Sequence, residues 1–393
     1  MTHPKPAFIQ AEYDARLHRV RAAMDAAGLQ ALFITDPSNM GWLTGYDGWS
    51  FYVHQGVLVG PDGPPRWWGR AMDGAGALRT VWMPDDHIHG YDDSFVQNPV
   101  KHPMLDLCGL VRACGWHIGR IGIEKDNYYF TAAAYETLLN DLSQASLVDA
   151  TGLVNWCRAV KSKTEITYLR RAGAIVTRMH AQIAMLAQVG MRKNDLVAQI
   201  MATGIEGADG HWGDYPAIVP MAPSGRDATA PHLTWDDSPL QRGIPTFFEI
   251  AGAYRRYQCP QSRTLFLGVV PDTYRRAADA VQAATDAVLG MAQPGVRCED
   301  LARQFNGTLA SHGFHKDSRV GYSIGMSYPP DWGERTMSLR AGDRTLLQAG
   351  MTFHFMPALW LDDGGIETTE PILITETGAE RLCATPPGLL VKA

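Results

Sequence analysis

The sequence lacks the features that would send it into a membrane, onto nucleic acid or out of the cell. No apolar run approaches the ~20 residues that a membrane-spanning helix needs, so no membrane partner is expected. Lys and Arg residues are scattered rather than clustered, and the formal net charge is −6. That leaves no basic footprint for nucleic acid. The N-terminal stretch MTHPKPAFIQAEYDARL has neither the basic nor the apolar region of a secretory signal. Six cysteines (Cys108, Cys114, Cys157, Cys259, Cys298 and Cys383) form no C-x-x-C pair and no framework spacing. They read as reduced thiols of a cytoplasmic protein.

What is present is enough chain for two cores, since 393 residues exceed one ordinary domain. Residues 12–28 space apolar positions at three and four, with Gly28 closing a helix. LQALFIT (29–35) follows as a strand, and VLVG (57–60) and PRWWGR (65–70) as hairpin strands around PDGPP. MLDLCGLVRACG predicts a helix, RIGIEKD (120–126) a strand and FTAAAYETLLNDL another helix. Strands alternating with helices imply an α/β domain over 1–155. From Thr151 the texture changes, and a helical stretch runs to Gly190, broken near Lys161–Thr164. A second helix (RKNDLVAQIMATGI), strands AIVP (217–220) and TFFEIAGAYRRYQ, two more helices (271–292 and 298–313), and strands GYSIG, MTFHFMPALW and EPILITE complete the chain. Helix pair, strands, helix pair, strands: residues 156–393 read as an internally duplicated α+β domain.

One stretch poses a chemical question. FFEIAGAYRRYQCPQSRTLF (247–266) reads as two strands joined by a tight turn, with Glu249 among apolar neighbours. A buried acid is costly unless it faces a cation. The return strand offers Gln258, Cys259, Pro260 and Gln261, and no second acid with which to hold one. Glu249 either meets a cation supplied from outside or forms a structural ion pair with an arginine such as Arg263.

Several segments resemble, in order and at family spacing, the creatinase/aminopeptidase P/prolidase family of pita-bread hydrolases. They are RAVKSKTEITYLRRAG, IVPMAPSGRDATAPH, the hairpin at 247–266, VGYSIG, GMTFHFMPALW and GIETTEPILITETGAERL. The resemblance implies a pita-bread catalytic domain preceded by a smaller creatinase-type α/β domain, and a homodimer. Metal-dependent members hold two divalent cations with two aspartates, a histidine and two glutamates. On this chain those positions fall on Glu249, Pro260, Tyr322, Met356 and Thr369, with Glu370 next to the last. One carboxylate in five positions implies no catalytic metal and no cofactor, because hard divalent cations need several oxygen ligands. Creatinase, a member without the metal, cleaves a C–N bond at an amidino carbon.

A narrower resemblance, carried by TGYDGWSFYVHQGVLV, GYSIGMSYPPDWGERTMSLRAGDRT and GGIETTEPI, is to the metal-free branch containing the ectoine hydrolases. It implies a small zwitterionic substrate, the cyclic amidine ectoine or hydroxyectoine, opened to N-acetyldiaminobutyrate, with a separate deacetylase acting afterwards. Another creatinase-type amidinohydrolase, a metal-dependent Xaa-Pro peptidase and a non-catalytic binder remain as competitors. Glu249 would engage the amidinium carbon as nucleophile or base. His232, in the loop SGRDATAPH, matches the family's catalytic histidine and would shuttle a proton; without the match it reads as an exposed loop residue. Glu367 and Glu370 lie three apart, so strand alternation turns at most one of them toward the site. Tyr322 either donates to substrate or fills the space of a ligand histidine, which Met356 also fills. His354 is either in the site or packed in the core. Arg335, Arg263 and Arg255 are candidate clamps for a substrate carboxylate. Asp331 and Trp332 either frame the pocket or build a rigid turn. Trp49, Phe51 and Tyr52 either stack on a cation, in the family from the neighbouring protomer, or pack the N-terminal core.

Overall fold

The structure, a computed structural model, describes residues 7–393; the first six residues of the N-terminal stretch read above lie outside it. The chain divides into two compact units, Met1–Arg158 and Ala159–Ala393.

The first unit is a mixed α/β layer. Its elements in order are α1 (Gln10–Ala26), β1 (Ala31–Ile34), α2 (Pro37–Thr44), β2 (Gly56–Val59), β3 (Arg66–Arg70), α3 (Ala71–Thr80), β4 (Ile88–Tyr91), α4 (Met104–Ala113), β5 (Gly119–Ile123), α5 (Ala132–Asp141), β6 (Ala145–Asp149) and α6 (Leu153–Cys157). The strands form one six-stranded sheet in the order β4-β3-β2-β1-β5-β6. β1, β2 and β3 pair antiparallel, and the flanking strands join in parallel. Apolar residues of β1, β2, β5, α4 and α5 pack as one core, including Phe33, Leu58, Leu107 and Leu138. The Glu124 carboxylate accepts from the Thr35 and Asp36 amides and from Asn39 at 2.6–2.8 Å, so this buried acid has donors of its own.

The second unit opens with α7 (Lys163–Leu186), whose start explains the break read near Lys161–Thr164. Ser162 and Glu165 form a reciprocal capping box that satisfies orphan backbone donors at the helix N-terminus. α8 (Lys193–Glu206) follows, then the long hairpin β7 (Thr246–Tyr254) and β8 (Tyr257–Leu267). The second helix pair is α9 (Asp272–Met291) and α10 (Cys298–Ser311). After it come β9 (Gly321–Ile324), β10 (Gly333–Leu339), β11 (Thr352–Phe355), β12 (Ala358–Leu361), β13 (Gly364–Glu367), β14 (Glu370–Thr375), β15 (Gly378–Arg381) and β16 (Leu390–Lys392). The unit is thus a repeat of helix pair followed by strands.

Its strands make a five-stranded sheet β10-β9-β11-β14-β15, a pair β12-β13 and a triple β16-β8-β7. α7 packs closely on one face of β7. A Cβ added at Gly252 would sit 2.2 Å from the Ala172 carbonyl oxygen, so a side chain there would push the helix off the strand. α9 and α10 cover the five-stranded sheet with an apolar core that includes Val281, Phe305, Phe353 and Ile372.

Two strand expectations change. AIVP (217–220) is irregular apart from Met221, which bridges both Glu249 and Thr234. Pro216, Pro220 and Pro223 supply no backbone N–H, so a continuous ladder cannot form there. MTFHFMPALW splits into β11 and β12 at Met356–Pro357 for the same reason.

Candidate active site

Glu249 lies mid-way along β7, directly opposite Ser262 of β8. Side chains alternate along a strand, so Glu249 shares a face with Phe247 and Ala251, the face opposite to Gly252 and the α7 contact. Along that face Ala251 joins Tyr322, Ile324, Trp332, Ala217, Ile218 and Met356 in one apolar cluster. Phe247 joins Met221, Ala228 and Trp360 in a second. Glu249 stands between the two clusters, 5% exposed, and no described residue donates a hydrogen bond to its carboxylate. Burial pushes its pKa up to about 7.

The end of β13 brings a second acid to the same place. Glu367 is 1% exposed, anchored by its backbone N–H to the Thr264 hydroxyl at 2.8 Å. Burial and then the charge of Glu249 raise its pKa well above the carboxylate range. Lys316 and Ser262 pull in the opposite direction. Glu370 goes the other way. It meets the Arg263 guanidinium at 2.7 Å and Gln261 Nε2 at 3.1 Å. The break between β13, which ends at Glu367, and β14, which starts at Glu370, sorts the two glutamates, with Glu367 beside Glu249 and Glu370 on the arginine side.

A polar chain runs from β8 to the aromatic cluster. The Ser262 amide donates to Thr369 Oγ1 at 2.7 Å, Thr369 Oγ1 meets His354 Nε2 at 2.7 Å, and His354 Nδ1 meets Tyr322 Oη at 3.0 Å. Trp332 Nε1 also donates to Tyr322 Oη. His354 is buried, and burial with the nearby Arg319 charge pushes its pKa down to about 3. The ring is therefore neutral, one nitrogen donating and the other accepting, and the direction of the chain follows the tautomer. With the ring proton on Nδ1, Tyr322 Oη accepts from both His354 and Trp332 and its own O–H is left to be offered elsewhere. Burial and the Glu249 charge raise the Tyr322 pKa well above its ordinary value, which keeps that proton in place.

The other residues singled out from sequence divide. Thr369 and Met356, two of the aligned ligand positions, lie at this site, Met356 against the apolar cluster. Asp331 accepts from the Gly333 amide at 2.9 Å and lies near enough to Tyr322 for its charge to act there. Trp332 is buried and reaches the site through Tyr322. His354 spends both ring nitrogens on Thr369 and Tyr322, so it orients the tyrosine from behind. His232 sits exposed on the loop whose Thr234 bridges Met221, the residue that also bridges Glu249.

Arg263 is not brought to this site. It pairs across the hairpin with Phe248, and it gives its guanidinium to Glu370 and to the carbonyls of Ser262, Thr369 and Pro386 at 2.7–2.9 Å. The alternative of a Glu249–Arg263 ion pair falls with it. Arg335 is exposed on the irregular strand β10. Arg255 lies in the β7–β8 turn, over the Trp212 ring. Trp49 and Tyr52, in the first unit, are 56% and 73% exposed, so they do not pack its core; Phe51 stacks edge-on against Trp49 and Tyr129. Lys316, on the segment between α10 and β9, escaped sequence reading. Charged neighbours in FHKDSR give it the pattern of a surface loop, and only the tertiary fold buries it.

Residues 167–376 match the family model of metallopeptidase family M24, and residues 16–160 that of the creatinase/prolidase N-terminal domain. The chain belongs to this family of pita-bread hydrolases, and it is a hydrolase. It is 54% identical to a protein of Halomonas elongata named ectoine hydrolase, over 98% of both chains. An uncharacterised hydrolase/peptidase of Sinorhizobium fredii is 37% identical over 98% of both. Among solved structures, a prolidase from Thermococcus sibiricus superposes with a TM-score of 0.84 at 16% identity, covering 97% of this chain and 99% of its own. That likeness speaks for the fold.

The dinuclear metal centre of the family does not fit these residues. Its aligned positions hold Glu249, Pro260, Tyr322, Met356 and Thr369, and no group of three or more His, Cys, Asp or Glu side chains among the described residues could hold an ion. One carboxylate with a proline, a thioether and two hydroxyls is a poor donor set for hard divalent cations.

Proposed function

We propose that the protein hydrolyses ectoine, and its hydroxylated form, to N-acetyldiaminobutyrate without a catalytic metal. The observation that carries this is Glu249, a buried carboxylate with neither a cation nor a hydrogen-bond donor among the described residues. An amidinium substrate supplies both. Its carbon is electrophilic by virtue of its own charge, so no Lewis acid is needed to polarise it. The full-length likeness to a protein named ectoine hydrolase supports the choice of amidine.

The two glutamates divide the work because their environments separate their affinities for protons. Glu249 is the more acidic, and supplies the electron pair to the amidinium carbon, directly or through a water that it deprotonates. A C–O bond forms there. Glu367 holds its proton at neutral pH and passes it to the departing ring nitrogen, which leaves as an amine as the C–N bond breaks. The carbon becomes the carbonyl of an acetamide. Where attack is direct, water cleaves the resulting acyl–Glu249 bond and regenerates the carboxylate. Tyr322 offers its O–H to the nitrogen or to the developing oxyanion. His232, on its exposed loop, relays protons between the site and solvent.

We place the enzyme in the cytoplasm, where its free cysteines stay reduced. Its assembly is read as a homodimer, for which the exposed Trp49 and Tyr52 offer apolar surface. The acetylated product calls for a deacetylase next. The test is product analysis by mass spectrometry after incubation with ectoine or with creatine. Ring-opened N-acetyldiaminobutyrate from ectoine, absent with Glu249→Gln, is expected. Turnover of creatine alone, or of neither, would overturn the assignment.

A further inference from the structure

Among the described residues the buried cations are matched, with one exception. Arg16 meets Glu12 at 2.8 Å, Lys193 meets Asp236 at 3.0 Å, and Arg263 meets Glu370 at 2.7 Å. Lys161 contacts Glu334, and Arg158 donates to Asn39 Oδ1 at 2.7 Å. Lys316 is 6% exposed, and no described residue gives its ammonium a hydrogen bond or an ion pair within 4 Å. A buried ammonium without a partner costs several kcal/mol. Burial accordingly lowers the Lys316 pKa, and the charge that opposes this comes from Glu367.

Glu367 is a weak answer to that charge. It stays outside ion-pair distance, and burial, with Glu249 as a neighbour, favours its protonated form. Lys316 therefore stands beside the site as Glu249 does, with the opposite sign. Glu249 lacks a cation and Lys316 lacks an anion, and both act on the same third side chain. A ligand that completes both is a small zwitterion. The arginines suggested by sequence do not compete for this role. Arg263 is spent on Glu370, and Arg335 is exposed on β10.

Given the ectoine reaction proposed above, on which this assignment depends, we propose that Lys316 binds the substrate carboxylate and so orients the amidinium carbon onto Glu249. A compact, rotatable ammonium suits a single carboxylate in a narrow site. It also selects for amidines that carry an acid. The carboxylate is remote from the breaking bond, so its binding energy serves orientation as well as affinity.

The test compares two substrates on the wild type and on Lys316→Met. One is ectoine, and the other is the same methyl-substituted tetrahydropyrimidine without its carboxylate. The methionine variant is expected to lose about 100-fold in kcat/KM on ectoine, mostly through KM, and to stay within about threefold of wild type on the carboxylate-free ring. Lys316→Gln, which keeps a hydrogen-bond donor, should fall between, and provides the comparison if the methionine variant does not fold. Equal losses on both substrates, or no loss on ectoine, would overturn the role of Lys316 while the ectoine reaction stands. A wild type that turns over neither ring would sink the reaction itself, and the Lys316 assignment with it.

Discussion

Glu249 and Arg263 lie on paired strands of one hairpin and point to its opposite faces, because Arg263 is the cross-strand partner of Phe248. The arginine closes a structural ion pair with Glu370 at 2.7 Å, and the glutamate is left without a cation. One residue of register thus separates a structural charge from a reactive one.

Removing the reactive charge should abolish turnover and spare the fold. Glu249→Gln is expected to lower kcat by about a thousandfold or more. Its thermal midpoint at pH 8 should equal or exceed that of the wild type, since the amide spares the cost of an unpaired buried charge. Steady-state assays and melting curves on the same preparation check both halves.

Removing the structural charge should do the reverse. Arg263→Leu leaves Glu370 buried and uncompensated, with an expected loss of about 3–5 kcal/mol in stability. Denaturant unfolding measures it. The kcat/KM of whatever remains folded should change little, because Arg263 does not face the substrate.

The raised pKa of Glu249 has two consequences with opposite signs. Ectoine keeps its positive charge throughout this range and needs the carboxylate ionised, so its affinity should fall toward tenfold per pH unit below about 7. Calorimetry in buffers of different ionisation enthalpy should detect proton release on binding near pH 6. Stability runs the other way. The folded protein binds the Glu249 proton more tightly than the unfolded chain, whose ordinary value is 4.5. This contribution is fully present below that value and is lost as pH rises through about 7, amounting to about 3 kcal/mol from this residue alone. Melting of wild type relative to Glu249→Gln should therefore be more favourable at pH 5 than at pH 8.

Tyr322→Phe removes the O–H that Tyr322 offers to the substrate when His354 carries its ring proton on Nδ1. A drop in kcat of about 10–100-fold is expected, with KM nearly unchanged. His232→Ala should slow the reaction by a similar factor. The loop is exposed, so added imidazole should restore part of that rate, an effect that a structural role would not produce.

The sequence displayed those parts of the molecule that local chemistry determines. The break read near Lys161–Thr164 fell where α7 begins, and the apolar pattern around Glu249 marked a buried acid. Strand alternation, read along one continuous strand, set Glu367 and Glu370 apart, whereas in the structure they part because Glu367 closes β13 and Glu370 opens β14 in another sheet. Alternation could not say which of them would face Glu249, because that depends on the Thr264 and Glu367 backbone contact across two hairpins. Lys316 carried no local signal at all. Its burial comes from packing between segments far apart in the chain. Helices α2 and α3 and strands β4 and β6 were likewise invisible, being short elements that give periodicity little to act on.

The central claim is that the positive charge this site needs enters with the substrate. The most direct measurement is metal content by plasma mass spectrometry and ectoine turnover on one chelator-treated, dialysed sample. Full turnover at well below one metal ion per chain is predicted. Turnover that disappears with the metal and returns in proportion to added manganese, zinc or cobalt would contradict it.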